Sequence, residues 1–143
     1  MTVKDILSQK GTEVLTIEPT ATLAAAVTML AQRRIGALVV TGPGHRVVGI
    51  ISERDIVRVL EAQGTGILEA PVGEVMTRKV VTCSQGETIA EIMERMTAGK
   101  FRHVPVVDQG RLTGMVSIGD VVKHRLGEME RDSAAMRDYI LTA

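Results

Sequence analysis

Aromatic side chains are almost missing from this chain: Phe101 and Tyr139 are its only two, and it has no tryptophan. Proteins that hold single-stranded nucleic acid stack bases on aromatic rings beside a concentrated basic face. Here 17 basic and 17 acidic residues cancel to a formal net charge of zero, so no nucleic-acid partner is expected. Cys83 is the single cysteine, which rules out an intrachain disulfide and fits a reducing compartment. No apolar run approaches the ~18 residues of a spanning helix, and the N-terminal MTVKDILSQK has no long apolar core of a secretory signal. A cytoplasmic location away from membranes is the expectation. Catalytic signatures are scarce as well. His45, His103 and His124 are scattered without metal-ligand spacing, Cys83 has no local histidine, and neither a P-loop nor a Gly-x-Gly-x-x-Gly run occurs. No metal site and no enzymatic activity are expected.

What is present is an ordinary globular balance, 45% apolar and 24% charged over 143 residues, enough for one packed domain. With so few aromatics the core must be aliphatic, drawn from Val, Ile, Leu, Ala and the eight methionines.

The chain is written twice. Residues 14–40 align without gaps on 80–106, placing Val14 and Thr16 on Val80 and Thr82, and Thr22-Leu23-Ala24 on Thr88-Ile89-Ala90. Beyond the hairpins the offset shortens by one residue, and Gly49-Ile50-Ile51-Ser52-Glu53-Arg54-Asp55 falls on Gly114-Met115-Val116-Ser117-Ile118-Gly119-Asp120. Each copy reads as the same string of elements. A short β-branched strand ends at Thr16 or Thr82. A helix follows, with apolar residues at 23, 26, 27 and 30 or at 89, 92, 93 and 96, the stripe of one buried face. Thr88-x-x-Glu91 has the form of a capping box. Then comes a hairpin, turning at Thr41-Gly42-Pro43-Gly44 or Asp108-Gln109-Gly110. Pro105 has no N–H to donate, so its strand belongs at a sheet edge or is irregular there. A second helix carries Ile56, Val57 and Leu60, or Val121, Val122 and Leu126.

This ordering predicts an α+β fold of two β-α-β-β-α repeats, over 3–62 and 72–126, joined by a linker at 63–71. Met129, Ser133, Met136 and Ile140 keep helical spacing, so 127–143 reads as a short C-terminal amphipathic helix. One copy of about 55–60 residues buries too little surface to stand comfortably alone. The two are therefore expected to pack through their sheets around one shared core.

The recurring Gly-h-h-Ser-x-x-Asp, with h apolar, carries the most chemistry. Ser52 and Ser117 fall where a strand becomes a helix, beside N–H groups that no carbonyl has claimed, and a hydroxyl at such a helix start can seat a phosphate. Asp55 and Asp120 follow one turn later, where a carboxylate can accept both hydroxyls of a ribose. The same pattern also describes a serine N-cap with an acidic third residue, a purely structural device. Both readings stand at this point.

The doubled β-α-β-β-α order, the two Gly-h-h-Ser-x-x-Asp segments and the hairpin Phe101-Arg102-His103-Val104-Pro105-Val106-Val107-Asp108 together resemble a tandem pair of CBS domains, the Bateman module. The resemblance spans roughly residues 3–126 and is strongest to stand-alone bacterial signalling members. It implies two repeats related by a pseudo-twofold axis, with a cleft that takes AMP, ADP, ATP, NAD(H) or, in some members, S-adenosylmethionine. It also implies a homodimer formed through helices. By position, Thr16 and Thr82 correspond to the family's threonine near the adenosine pocket. Ala37-Leu38 and His103-Val104-Pro105 correspond to the strands whose backbone meets adenine.

The copies differ: Gly36-Ala37 stands opposite Arg102-His103, and Arg54 opposite Gly119. Unequal ligand sites are therefore expected. Arg54, Arg102 and His103 are candidate phosphate contacts, and Gly119 a place where a diphosphate nears the backbone. With Ser52, Asp55, Ser117 and Asp120 these residues form the expected binding set for a regulatory nucleotide, read out by an unidentified effector protein. The alternative is a ligand-free dimerisation scaffold whose Ser/Asp pairs only cap helices. Asp120→Asn is the substitution that discriminates the two on sequence grounds.

Overall fold

The computed structural model describes residues 1–142. Its elements run α1 (Val3–Lys10), β1 (Thr16–Ile17), α2 (Leu23–Arg33), β2 (Ala37–Gly42), β3 (Arg46–Ser52), α3 (Glu53–Gln63), α4 (Val72–Val75), α5 (Ile89–Gly99), β4 (His103–Asp108), β5 (Arg111–Ser117) and α6 (Ile118–Thr142), with single 3-10 turns at Pro43–His45 and Thr65–Glu69. The two-repeat α+β architecture is present. Each hairpin carries one bulge, between Val40 and Thr41 in the first and between Val106 and Val107 in the second. Gln109 and Gly110, both at positive φ, make the second turn, as short hairpins require.

The strand order is β1-β2-β3-β5-β4, so β4 lies at an edge. This is where Pro105 can be accommodated. Its outer neighbour is a single parallel bridge between Cys83 and Val106. The expected strand at Val80-Val81-Thr82 is thus reduced to that one bridge, whereas in the first copy Thr16 and Ile17 pair with Val39 and Val40. Val81 is exposed instead.

The hairpins share backbone pairing at their tips, where Arg46 pairs with Arg111. Both faces of β2 are buried, Leu38 and Val40 in one hydrophobic cluster and Ala37, Val39 and Thr41 on the opposite face. Where one shared core was expected, two clusters hold most of the buried apolar side chains, and each borrows from the other repeat. Val3, Ile6 and Leu7 of α1 are buried with Ile89, Ile92, Met96, Val104, Val106 and Val116 of the second repeat. Val72 and Met76, from α4 and its end, are buried with Ile17, Leu23, Leu38, Val40 and Ile51 of the first. The lead-in helices are exchanged.

This exchange explains the glycine that opens each motif. A Cβ on Gly114 would stand 2.8 Å from Leu7 Cδ2, and one on Gly49 would stand 2.9 Å from Met76 Cγ and 3.0 Å from the Thr77 carbonyl oxygen. All three distances lie inside normal contact, so a larger residue at either position would have to displace the exchanged side chain. The second helix of the second repeat also runs on without a break. Gly127 costs about 1 kcal/mol relative to alanine in a helix, and α6 continues through it for 25 residues in all.

Candidate functional site

A cleft of about 520 Å3 opens between the repeats on the side of the first motif. Its floor comes from the start of β2 at Gly36 and Ala37, from Ile50, and from Val80, Val81 and Phe101 of the second repeat. Ser52, Arg54 and Asp55 enter from the first turn of α3. Arg102 and His103 enter from the start of β4. Six of the residues singled out from sequence, Ala37, Ser52, Arg54, Asp55, Arg102 and His103, thus share one cavity.

The start of α3 is held by backbone and cap together. Glu53 N–H donates to the Gly36 carbonyl at 3.0 Å. Asp55 N–H donates to Ser52 Oγ at 3.2 Å, while Ser52 N–H and its hydroxyl donate to Asp55 Oδ2 at 3.0 and 2.9 Å. The capping box is therefore real, and it spends only one carboxylate oxygen. Asp55 Oδ1 has the Arg58 guanidinium 4.0 Å away, so it keeps acceptor capacity toward the cleft.

Around the mouth stand Arg54, Arg58, Lys79, Lys100 and Arg102, all exposed, against the carboxylates of Glu53 and Asp55. Lys100 ends α5 in the left-handed region at φ 57°, matched by Arg34 at φ 53° after α2. His103 is partly buried. Burial, with the nearby charges of Lys10 and Arg102, lowers its basicity below that of a free imidazole, against the opposing pull of Asp120 and Glu53.

The second motif repeats this framework with a different neighbour. Ile118 N–H donates to the Arg102 carbonyl at 2.8 Å, Ser117 N–H to Asp120 Oδ2 at 2.9 Å, and Asp120 N–H to Ser117 Oγ at 3.1 Å. Here, however, Lys10 Nζ stands 2.6 Å from Asp120 Oδ2. Burial pushes the Asp120 carboxyl up, but the Lys10 ammonium and the Ser117 hydrogen bonds outweigh it and hold the group below the usual carboxylate range.

The other predicted residues are placed differently. Leu38 and Val104 are fully buried, one in each core cluster, and Pro105 is buried in β4, so these three offer a ligand backbone at most. Thr16 and Thr82 are partly buried and lie outside the cleft lining. Gly119 borders a shallow depression with Val122 and Leu126 on α6. Lys10, Lys79, Arg58 and Lys100 were missed in the sequence reading. A signal for the first two existed: the lead-ins 3–10 and 72–79 match at an offset of their own, which sets Lys10 on Lys79. Cys83 is buried, and burial with the Glu87 carboxylate nearby pushes its thiol up to about 12, so it stays protonated and unreactive. Among the described residues no three His, Cys, Asp or Glu side chains gather as metal ligands, and no helix is long and apolar enough to cross a membrane.

Comparison with known proteins gives a consistent picture. The family model for the CBS domain matches residues 3–62 and again 72–127. The mitochondrial CBS domain-containing protein CBSX3 of Arabidopsis thaliana is 34% identical over 97% of this chain and 71% of its own length. The protein YhcV of Bacillus subtilis is 30% identical over 92% of this chain and 91% of its own. Other relatives are far longer: the chain spans 23% of Arabidopsis CBSCBSPB1. Among solved structures, the CBS-domain protein ATU1752 of Agrobacterium tumefaciens superposes with a TM-score of 0.82 at 46% identity, covering 87% of this chain and 92% of that one. The CBS domain pair of MJ0100, solved in complex with 5-methylthioadenosine and S-adenosyl-L-methionine, gives 0.78 at 29% identity, covering 90% and 98%.

Proposed function

The chain belongs to the CBS-domain family, and from that premise we propose that it is a regulatory module whose Asp55 cleft binds an adenine nucleotide, AMP, ADP, ATP or NAD(H), and acts in trans on a partner protein. CBS domains are typically regulatory and non-catalytic, and the pair of MJ0100 carries adenosine derivatives. The observation that carries the reading to this chain is the convergence of Asp55 Oδ1, an apolar floor and a rim of cations on one cavity. The carboxylate accepts the ribose hydroxyls, each such charged hydrogen bond contributing ~1.5–3 kcal/mol. The apolar floor takes the base. Arg54, Arg102 and their neighbours take phosphate, which favours anionic nucleotides over the sulfonium cation of S-adenosylmethionine. The protein works as a homodimer in the cytoplasm, without nucleic-acid or membrane partners. Its ligand shifts a conformational equilibrium only by as much as it prefers one state.

Thermal unfolding with each nucleotide in turn tests this. A ligand at 100 times its dissociation constant stabilises the fold by ~2.7 kcal/mol, and Asp55→Asn removes that shift. The second reading, a scaffold with empty clefts, is favoured by the completed capping box at Ser52 and Asp55. It predicts no shift with any nucleotide, and a loss of intrinsic stability as the only effect of Asp55→Asn.

A further inference from the structure

From Met129 to Thr142 every residue of α6 is exposed. Apart from Arg131, whose guanidinium donates to the Met1 sulfur, no side chain of this stretch is hydrogen-bonded outside α6 among the described residues, although a helix of ~12–15 residues is marginal by itself in water. One face nevertheless carries Val122, Leu126, Met129, Ser133, Met136 and Ile140, spaced alternately four and three residues apart. That is the 3.5-residue seam of a coiled coil. The five apolar members are 41% to 66% exposed, so the seam is apolar, continuous and uncovered.

Charges flanking the seam say what covers it. In a parallel pair of identical helices, each residue just before one seam position faces the residue five further on in the partner. This brings Arg125, which also pairs with Glu128 of its own helix at 2.8 Å, to the partner's Glu130, and Asp132 to the partner's Arg137, opposite in sign at both places and doubled by symmetry. An antiparallel pair overlapping along the whole seam instead sets Glu130 near the partner's Glu130, Asp132 near the partner's Asp132, and Lys123 near the partner's Arg137. Like charges then meet at every one of these places. We propose that the exposed seam of α6 binds the same seam of a second copy as a parallel two-stranded coiled coil. This contact fixes the polarity of the dimer and sets equivalent clefts side by side, pointing the same way.

The proposal rests on the homodimer above but not on nucleotide binding, and two measurements separate them. Sedimentation equilibrium of the full chain reads whether a dimer exists. Mild oxidation of Met136→Cys then reads whether α6 joins it, because a parallel seam sets the two introduced thiols against each other while buried Cys83 stays silent. The expected result is a disulfide-linked dimer from Met136→Cys and none from Asp138→Cys, which lies on the outer face. Association of Glu130→Lys should be at least tenfold weaker in low salt. A monomer overturns both the dimer and the seam. A dimer without the Met136→Cys cross-link, equal cross-linking of Asp138→Cys, or unchanged association of Glu130→Lys overturns the parallel seam alone.

Discussion

The two Ser/Asp motifs share a backbone frame and differ at their rims, most sharply by where a lysine closes on the carboxylate. At both motifs the serine hydroxyl accepts from the aspartate N–H, the aspartate accepts from the serine N–H, and the following residue ties back to the start of the neighbouring strand. Lys10 closes on Asp120 at 2.6 Å, whereas its counterpart Lys79 lines the open cleft beside Asp55 without such a bond. Duplication copied the frame, and divergence at the rim set the Lys10 ammonium on the Asp120 oxygen that the cap already uses, while Asp55 faces the open cleft with Arg58 4.0 Å away. For this reason the decisive substitution moves from Asp120, where the sequence placed it, to Asp55.

The exchanged lead-ins give the sharpest way to break the symmetry. Leu7→Ala should cost about 2–5 kcal/mol, and its damage should appear in the repeat that does not contain it. Hydrogen exchange is expected to accelerate in α5, β4 and β5 while α2 and β2 keep their protection. Next in size, Gly49→Ala and Gly114→Ala should each cost roughly 1–3 kcal/mol by overpacking, measured by urea unfolding. Gly49→Ala should be the worse, because a backbone carbonyl of Thr77 faces the new methyl as well as Met76, while Gly114 faces only the Leu7 side chain.

Smaller effects sharpen the contrast between the clefts. Lys10→Gln should change stability by no more than about 1 kcal/mol, since its partnership with Asp120 is partly exposed, yet it removes the cation beside the second carboxylate and should raise nucleotide stoichiometry. Its stability contribution has a defined pH window. The Asp120 pKa is depressed in the fold, so the contribution is present above the unfolded value of ~3.9 and is lost as pH falls through the lower folded value. His103 is depressed too, and its stabilising contribution is full above ~6.5 and declines as acid protonates it. Between pH 7.5 and 5.5 the wild-type Tm should therefore fall slightly more than that of His103→Gln.

Much of the fold was legible because its signals are local. The repeat, both hairpins and the edge placement of Pro105 follow from spacing, turn residues and a missing N–H. The exchange was not legible, because the periodicity of Val3, Ile6 and Leu7 says that they are buried but not against which sheet. The glycines marked it only in retrospect. Val80 and Val81 have strand propensity yet line the cleft, where tertiary position overrides it. For the site, the first Ser/Asp motif lies in the cleft lining and the second does not, while Lys10 and Lys79 escaped because they lie outside the aligned segments. Their roles depend on a helix crossing between repeats.

Isothermal titration calorimetry of the wild-type chain, Asp55→Asn and Asp120→Asn with AMP, ADP, ATP, NAD and NADH tests the central claim most directly. The account predicts one nucleotide per chain, lost in Asp55→Asn and retained in Asp120→Asn. Binding that survives Asp55→Asn and vanishes with Asp120→Asn, or no binding by the wild type to any of these nucleotides, would contradict it.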